Sequence, residues 1–319
     1  MVDERDIDSS LIQSATVAIV GYGNQGRAHA LNLRDRGIQV RVGTRAGMGR
    51  ESSTKDGWSV FEIEDAIRGA SVVSLLVPDE AMRGVWESSV NGVIEQDAVL
   101  LFAHGFALTY GLVDWAGQTA LVSPAGPGTA VREEFVRGHG VPALVGADPG
   151  NTVPLALSYA WALGCARAGI VMTNFKEETE CDLFGEQVVL CGGMPELAVA
   201  AFETLVESGY SPEVAYTECI AQVRLLADLM ARHGIAGMKE RVSDTAEFGS
   251  YRAGPAIVNG HVRAEMKRIL SDVQSGKFAS EWITEAESGK KGLLAKRERE
   301  SERKVEEVGR QLRSAFKTE

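Results

Sequence analysis

The sequence predicts an α/β protein, with an N-terminal Rossmann-like domain on a parallel sheet followed by an all-helical C-terminal domain. Three observations carry this. Short apolar runs alternate with amphipathic segments from Thr16 to about Asn174. The first run leads into G-x-G-x-x-G and then a helical pattern. Beyond "GIVMTNF" the strand signals stop, and long stretches carry apolar residues at helical spacing. A chain of 319 residues exceeds the roughly 100 to 200 residues usual for one domain, so we divide it into residues 1–174 and 175–319.

The strand candidates are "TVAIVGYG", "QVRVGTR", "SVVSLLVPD", "AVLLFAHG", "ALVSPAG" and "PALVGAD". Each ends in Gly, Pro or a polar residue, which puts loops at the carboxyl ends of strands, where open α/β sheets bind ligands. In the second half, "EETECDLFGEQVVLCGG", "MPELAVAAFETLVESGY" and "SPEVAYTECIAQVRLLADLMARHG" read as helices, stopping on "GG", "SGY" and "HGI". The tail from Lys290 mixes both charge signs at helical spacing and reads as a solvated helix.

A net charge of −11 argues against nucleic acid and anionic membranes, which would repel the protein, and favours a small-molecule ligand. The N-terminus has no apolar core behind a basic flank, so it is read as neither a secretory signal nor a transit peptide. No uncharged apolar run approaches the roughly 20 residues that span a bilayer. Cys165, Cys181, Cys191 and Cys219 form no C-x-x-C pair and are read as buried reduced thiols, hence a cytoplasmic setting.

The nucleotide site is built on Gly21, Tyr22, Gly23, Asn24, Gln25 and Gly26. Its glycines permit a tight turn and close approach to a pyrophosphate, and the helix N-terminus favours the negative charge. Pro78 and Asp79 close the third run beside it. After the second run, where an NAD-selective fold offers Asp or Glu, "RVGTRAGMGRESS" offers Arg45, Arg50, Ser52 and Ser53. These suit a 2′-phosphate, so NADPH is expected over NADH.

Asp182 and Glu186 are four apart, on one helix face, and two such carboxylates suit Mg²⁺. Glu218, on another helical segment, either joins them or is an ordinary partly buried glutamate. His104 follows a strand and precedes a glycine, at the ligand-facing edge of the sheet; the alternative is a histidine bonded to backbone. His29 and His139 are read as structural.

With these residues in view, the chain resembles the ketol-acid reductoisomerase family. The blocks "GYGNQGRAHALNL", "FAHGF", "GPGTAVREEFVRGHGVPAL", "FKEETECDLFGEQVVLCGG", "FETLVESGY" and "DTAEFGSYRAGP" are collinear with that family's. The resemblance implies a knotted helical domain and active sites completed across a homodimer or larger assembly. It makes Asp182 and Glu186 the principal Mg²⁺ ligands, Glu218 a carboxylate at a second metal, and Ser243 a substrate contact. It also puts His104 beside nicotinamide and substrate, and Gly126, Pro127 and Gly128 along the cofactor.

Four positions depart from the family. Its Pro-Lys-Gly-Pro-Gly loop reads "SPAGPG" here, with Ala125 in place of lysine. Gln222 stands where a second Glu is usual, with Ala221 where His is common. Ala107 stands where Asn is usual. Alkyl migration needs an oxyanion held by two metals and a positioned acid or base; the reduction needs mainly a polarised carbonyl facing hydride. The losses at Ala125 and Gln222 fall on the first half. The expectation is therefore an NADPH-dependent reductase acting on C=O or C=N of a small polar substrate, without the rearrangement, in a specialised biosynthetic pathway. The rival readings are an authentic Mg²⁺-dependent reductoisomerase of branched-chain amino-acid biosynthesis and a non-catalytic nucleotide-binding homologue.

Overall fold

The computed structural model describes residues 1–315 and divides into two compact units, Met1–Cys181 and Asp182–Glu319. The expected boundary at residue 174 falls at the start of a helix, Phe175–Gly185, and the division of the units falls within it.

The first unit is built on one eight-stranded sheet. Its strands are β1 (Thr16–Val20), β2 (Gln39–Gly43), β3 (Val60–Phe61), β4 (Val72–Leu75), β5 (Val99–Phe102), β6 (Thr119–Pro124), β7 (Ala143–Asp148) and β8 (Ile170–Met172). Their order is β3-β2-β1-β4-β5-β6-β7-β8. All of β4 and β5 and four of the five residues of β1 are buried, as strands covered on both faces require, and this is why they read as unbroken apolar runs. The chain leaves β1 for β2 on one side and returns to β4 on the other, so the cleft outside their carboxyl ends is the switch point where ligands bind.

The sheet differs from the expected one in three ways, the first being β8, which pairs with β7 beyond the six expected runs. The short edge strand β3 adds to β2, and β7 runs antiparallel to β6, pairing Thr119 with Asp148 and Pro124 with Ala143. A buried apolar run carries no signal of direction, and two residues are too few for a periodicity.

Helices of this unit are α1 (Ser10–Gln13), α2 (Asn24–Asp35), α3 (Met48–Lys55), α4 (Ile63–Ile67), α5 (Asp79–Val85), α6 (Phe106–Thr109), α7 (Gly128–Val136) and α8 (Val153–Ala162), with α9 (Phe175–Gly185) leading out of it. α2 packs on α7, and α8 lies against β6 and β7. Between these layers His29 is fully buried. Ser74 Oγ donates to Tyr159 Oη at 3.0 Å, and Tyr159 Oη lies 3.1 Å from His29 Nδ1. That order assigns the imidazole proton to Nε2, which has no hydrogen-bond partner.

Burial lowers the His29 pKa from 6.5 to about 3. Because the unfolded chain binds this proton first, the stability from neutral His29 is complete above about pH 6.5 and is lost as pH falls toward 3. The loss amounts to about 2 kcal/mol at pH 5. Denaturant unfolding at pH 7 and pH 5 should show that extra loss in the unmodified protein and not in His29→Gln; equal losses in both would refute the assignment.

The second unit is helical: α10 (Gly193–Glu207), α11 (Pro212–Tyr216), α12 (Val223–Lys239), α13 (Asp244–Ile257), α14 (Gly260–Gln274), α15 (Lys277–Glu287), α16 (Lys291–Glu302) and α17 (Lys304–Ala315). Phe202, Ala215, Tyr216, Val305 and Val308 form a small core. The tail is therefore not one solvated helix. α16 is largely exposed, but α17 buries Val305, Val308 and Gly309, and Arg313 donates to Tyr216 Oη at 2.9 Å.

One other expectation is corrected. Only Cys165 is buried; Cys181 and Cys191 are exposed and Cys219 is intermediate. The helical stretch Phe175–Glu207, although interrupted by charges, is long and apolar enough, with a mean hydropathy of 1.5 over its best window, to cross a bilayer by length and composition, and only 11% of that window is buried. Apolar side chains here, including Val189, Leu190, Met194 and Leu197, lack a covering layer in the single chain.

Candidate active site

The glycine turn after β1 is forced by close backbone approach. Gly21 has φ +94°, and a Cβ there would meet Leu76 O at 2.7 Å; one on Gly26 would overlap Gly21 O. α2 then begins at Asn24 with Gly23 as N-cap and no side-chain acceptor on its first N–H groups. An uncapped N-terminus of a twelve-residue helix is a site for a phosphate group.

Two adjoining clefts open over this turn. The inner one is lined by Gly23, Asn24, Gln25, Pro78, Asp79 and His104, among others. The outer one is lined by Gly21, Tyr22, Gly23, Ser52, Met48 and Arg27, among others. Most of the expected cofactor residues thus meet in one place, and the fit to a dinucleotide rests on chain features: a turn that only glycines permit and a helix N-terminus without a cap.

Some expected residues are elsewhere. Ser53 is buried, its Oγ donating to Arg50 O at 2.9 Å, because the register of α3 turns it inward. Arg50 Nη1 donates to Glu62 Oε1 at 2.7 Å and Thr44 O at 3.1 Å, away from the cleft lining. Arg45 is exposed. Tyr22 is buried; its Oη donates to Asp56 at 2.8 Å and accepts from Trp58 Nε1 at 2.8 Å. Asp56 also takes a bidentate pair from Arg27, at 2.6 and 3.0 Å, which holds its carboxyl below the usual range. The turn is thereby fastened to the end of α3.

The small residues of "SPAGPG" have a structural reason. A Cβ on Gly128 would overlap the Asn24 carbonyl and lie 2.9 Å from Gln25 N. Gln25 Nε2 donates to Gly126 O at 2.9 Å. The loop therefore braces the N-terminus of α2 from behind. Pro127 is exposed, and so is Ala125, whose N–H bonds to Pro142 O at 2.8 Å.

His104 is held by a residue that sequence reasoning missed. The fully buried Glu178 side chain lies 3.0 Å from His104 Nδ1 through Oε1 and accepts from Gly105 N at 2.8 Å through Oε2. A Cβ on Gly105 would press Phe175 O at 2.6 Å, so glycine lets α9 approach. Continuing the four-residue spacing of Asp182 and Glu186 backwards reaches Glu178, which was the available signal.

Asp182 and Glu186 are both exposed, not half-sheltered as their apolar neighbours suggested, since Leu183 turns inward on the other face. Glu186 opens a π-helical segment, Glu186–Leu190, and Glu218 lies in a second, Thr217–Ala221. Among the described residues, Glu186 and Glu218 are not gathered with Asp182 into one group of ligands. Gln222 Nε2 donates to Glu218 Oε2 at 2.9 Å. Ser243 caps α13, accepting from Ala246 N at 3.3 Å.

Residues 11–169 match the family model described as acetohydroxy acid isomeroreductase, NADPH-binding domain. Residues 175–318 match ketol-acid reductoisomerase, C-terminal domain. The structure is similar to an NADH-preferring ketol-acid reductoisomerase from an uncultured archean, with TM-score 0.95 and 37% identity over 99% of each chain. A semialdehyde dehydrogenase NAD-binding protein from Cupriavidus necator gives TM-score 0.63 at 14% identity, over 82% of this chain and 99% of that one. A pyrroline-5-carboxylate reductase from Coxiella burnetii gives 0.55 at 15%, over 82% and 97%. The last two share the fold alone.

Proposed function

Because the chain belongs to the ketol-acid reductoisomerase family and is an NAD(P)H-dependent oxidoreductase, we propose that it retains the reduction and has lost the rearrangement. The observation that carries this is the Gln222 to Glu218 hydrogen bond. A neutral amide stands where the family supplies a second carboxylate, so a second divalent cation would meet one negative charge fewer here. Ala125 removes a cation as well. Both changes withdraw support from a migrating alkyl group and its oxyanion, and neither touches the cleft over the glycine turn.

In this reading the turn from Gly21 to Gly26 and the start of α2 bind the cofactor pyrophosphate, and Arg45 and Ser52 receive the 2′-phosphate of NADPH. The cofactor supplies a hydride to the carbon of a C=O or C=N group. His104, oriented by Glu178, faces the heteroatom and is placed to give the proton that balances the hydride. Asp182 and Glu186 would hold one Mg²⁺, which would supply polarisation of the reacting group. Ser243 contacts substrate while capping α13. The small side chain of Ala125 leaves room for a small polar substrate bulkier than the family's, in a specialised biosynthetic pathway.

The functional unit is a homodimer or larger, cytoplasmic, with active sites completed at the interface. Phe248, Tyr251, Ile235 and Leu225, each more than half exposed in the second unit, support a covering partner copy. Authentic reductoisomerase activity is the second reading, favoured by 37% identity to a ketol-acid reductoisomerase over 99% of the chain.

Metal analysis tests the proposal. The protein equilibrated with Mg²⁺ should retain about one ion per chain, as expected from a two-carboxylate site, and Asp182→Ala should retain none. Two ions per chain would restore the second reading.

A further inference from the structure

We infer that Glu62 sets the balance between NADPH and NADH by competing with the 2′-phosphate for Arg50. The inference rests on the reading above that the loop after β2 receives that phosphate. β2 ends at Gly43 beside Phe61 of β3, and Thr44 N donates to Phe61 O at 3.2 Å. This pairing brings Glu62, the residue just past β3, level with the end of β2, where Rossmann folds discriminate between the two cofactors. Glu62 Oε1 takes Arg50 Nη1 at 2.7 Å, and Thr44 O takes the same nitrogen at 3.1 Å.

The guanidinium is thereby drawn to the β3 side. Its neighbours Gly49 and Ser52 line the outer cleft and Arg50 does not. A carboxylate here acts twice against a 2′-phosphate: it occupies the cation, and it adds a like charge close by. The pair is also replaceable, because the Arg50 and Glu62 side chains are 34% and 62% exposed, and solvated ion pairs are weak. Arg50 therefore exchanges Glu62 for a phosphate when NADPH binds and keeps Glu62 when NADH binds. Ser53, buried under Arg50 O, takes no part.

The test is binding of NADPH and NADH to the full chain, each followed by nicotinamide fluorescence, so that no substrate is needed. Glu62→Gln should raise the preference for NADPH over NADH by about fivefold, the range of an exposed ion pair. Arg50→Ala should lower that preference by about tenfold, and in that background the gain from Glu62→Gln should shrink to the part that relief of like charge alone supplies. If Arg50→Ala lowers the preference but Glu62→Gln does not raise it, the inference about Glu62 falls and the phosphate loop stands. If neither Arg45→Ala nor Arg50→Ala moves the preference, the loop reading falls and takes the inference with it. Both cofactors are measured on each preparation, so a general loss of folding alters both affinities and leaves their ratio as the readout.

Discussion

Ala125→Lys and Gln222→Glu together should raise NADPH oxidation with 2-acetolactate by at least about 100-fold over the unmodified protein, the contribution of one positioned acid or base. Ala125 is exposed and its N–H is already bonded to Pro142 O, so a lysine side chain can be added without disturbing the loop. Gln222→Glu removes the donor that occupies Glu218 Oε2 and supplies a second carboxylate four residues along the helix. Each single variant should recover much less, because the migration needs the metal pair and the acid or base at once. Reduction of a 3-hydroxy-2-keto acid should change by less than about threefold, since the step that requires these groups has already been passed. If the double variant gains nothing with acetolactate, the two residues are not what separates this chain from its relatives.

Gly128→Ala should weaken NADPH binding by about 100-fold, the cost of misplacing a binding element by about an ångström. The added methyl group has nowhere to go, because it would overlap the Asn24 carbonyl at the first turn of α2 and crowd Gln25 N. Either α7 retreats or the glycine turn is pushed out of shape. Gly126→Ala, two residues earlier in the same loop, is the control. Its Cβ would meet only Ala130 Cβ, at 3.8 Å, an ordinary contact, and it should alter affinity by less than about threefold. Similar losses in both variants would mean that the loop braces nothing and that its small residues serve another purpose.

What the sequence made legible follows from what each pattern encodes. Strands buried on both faces announce themselves as apolar runs, so β1, β4 and β5 were plain, whereas the direction of β7 depends on the connection before it. The glycine turn was readable because its backbone approaches leave no alternative residue. Arg50 and Ser53 depend on the register of α3, which no residue type signals: one turn decides which side chains reach the cleft, and the partner of Arg50 lies beyond the next strand. Glu178 was hidden by chemistry, since a buried carboxylate bonded to His104 and Gly105 N looks in sequence like one more acid on an acidic helix. The π-helical segments at Glu186 and Glu218 shift side chains around the helix in a way no residue type signals. Helical periodicity found the second unit but could not show that much of its apolar face stays uncovered in one chain.

Whether reduction is separated from rearrangement can be read in one assay. The unmodified protein, with NADPH and Mg²⁺, is given 2-acetolactate in one series and a 3-hydroxy-2-keto acid in the other. NADPH oxidation is expected with the 3-hydroxy-2-keto acid, and a rate with acetolactate lower by at least about 100-fold. Comparable rates with the two would contradict that separation and establish this chain as a reductoisomerase that works without a lysine at position 125 and a glutamate at position 222.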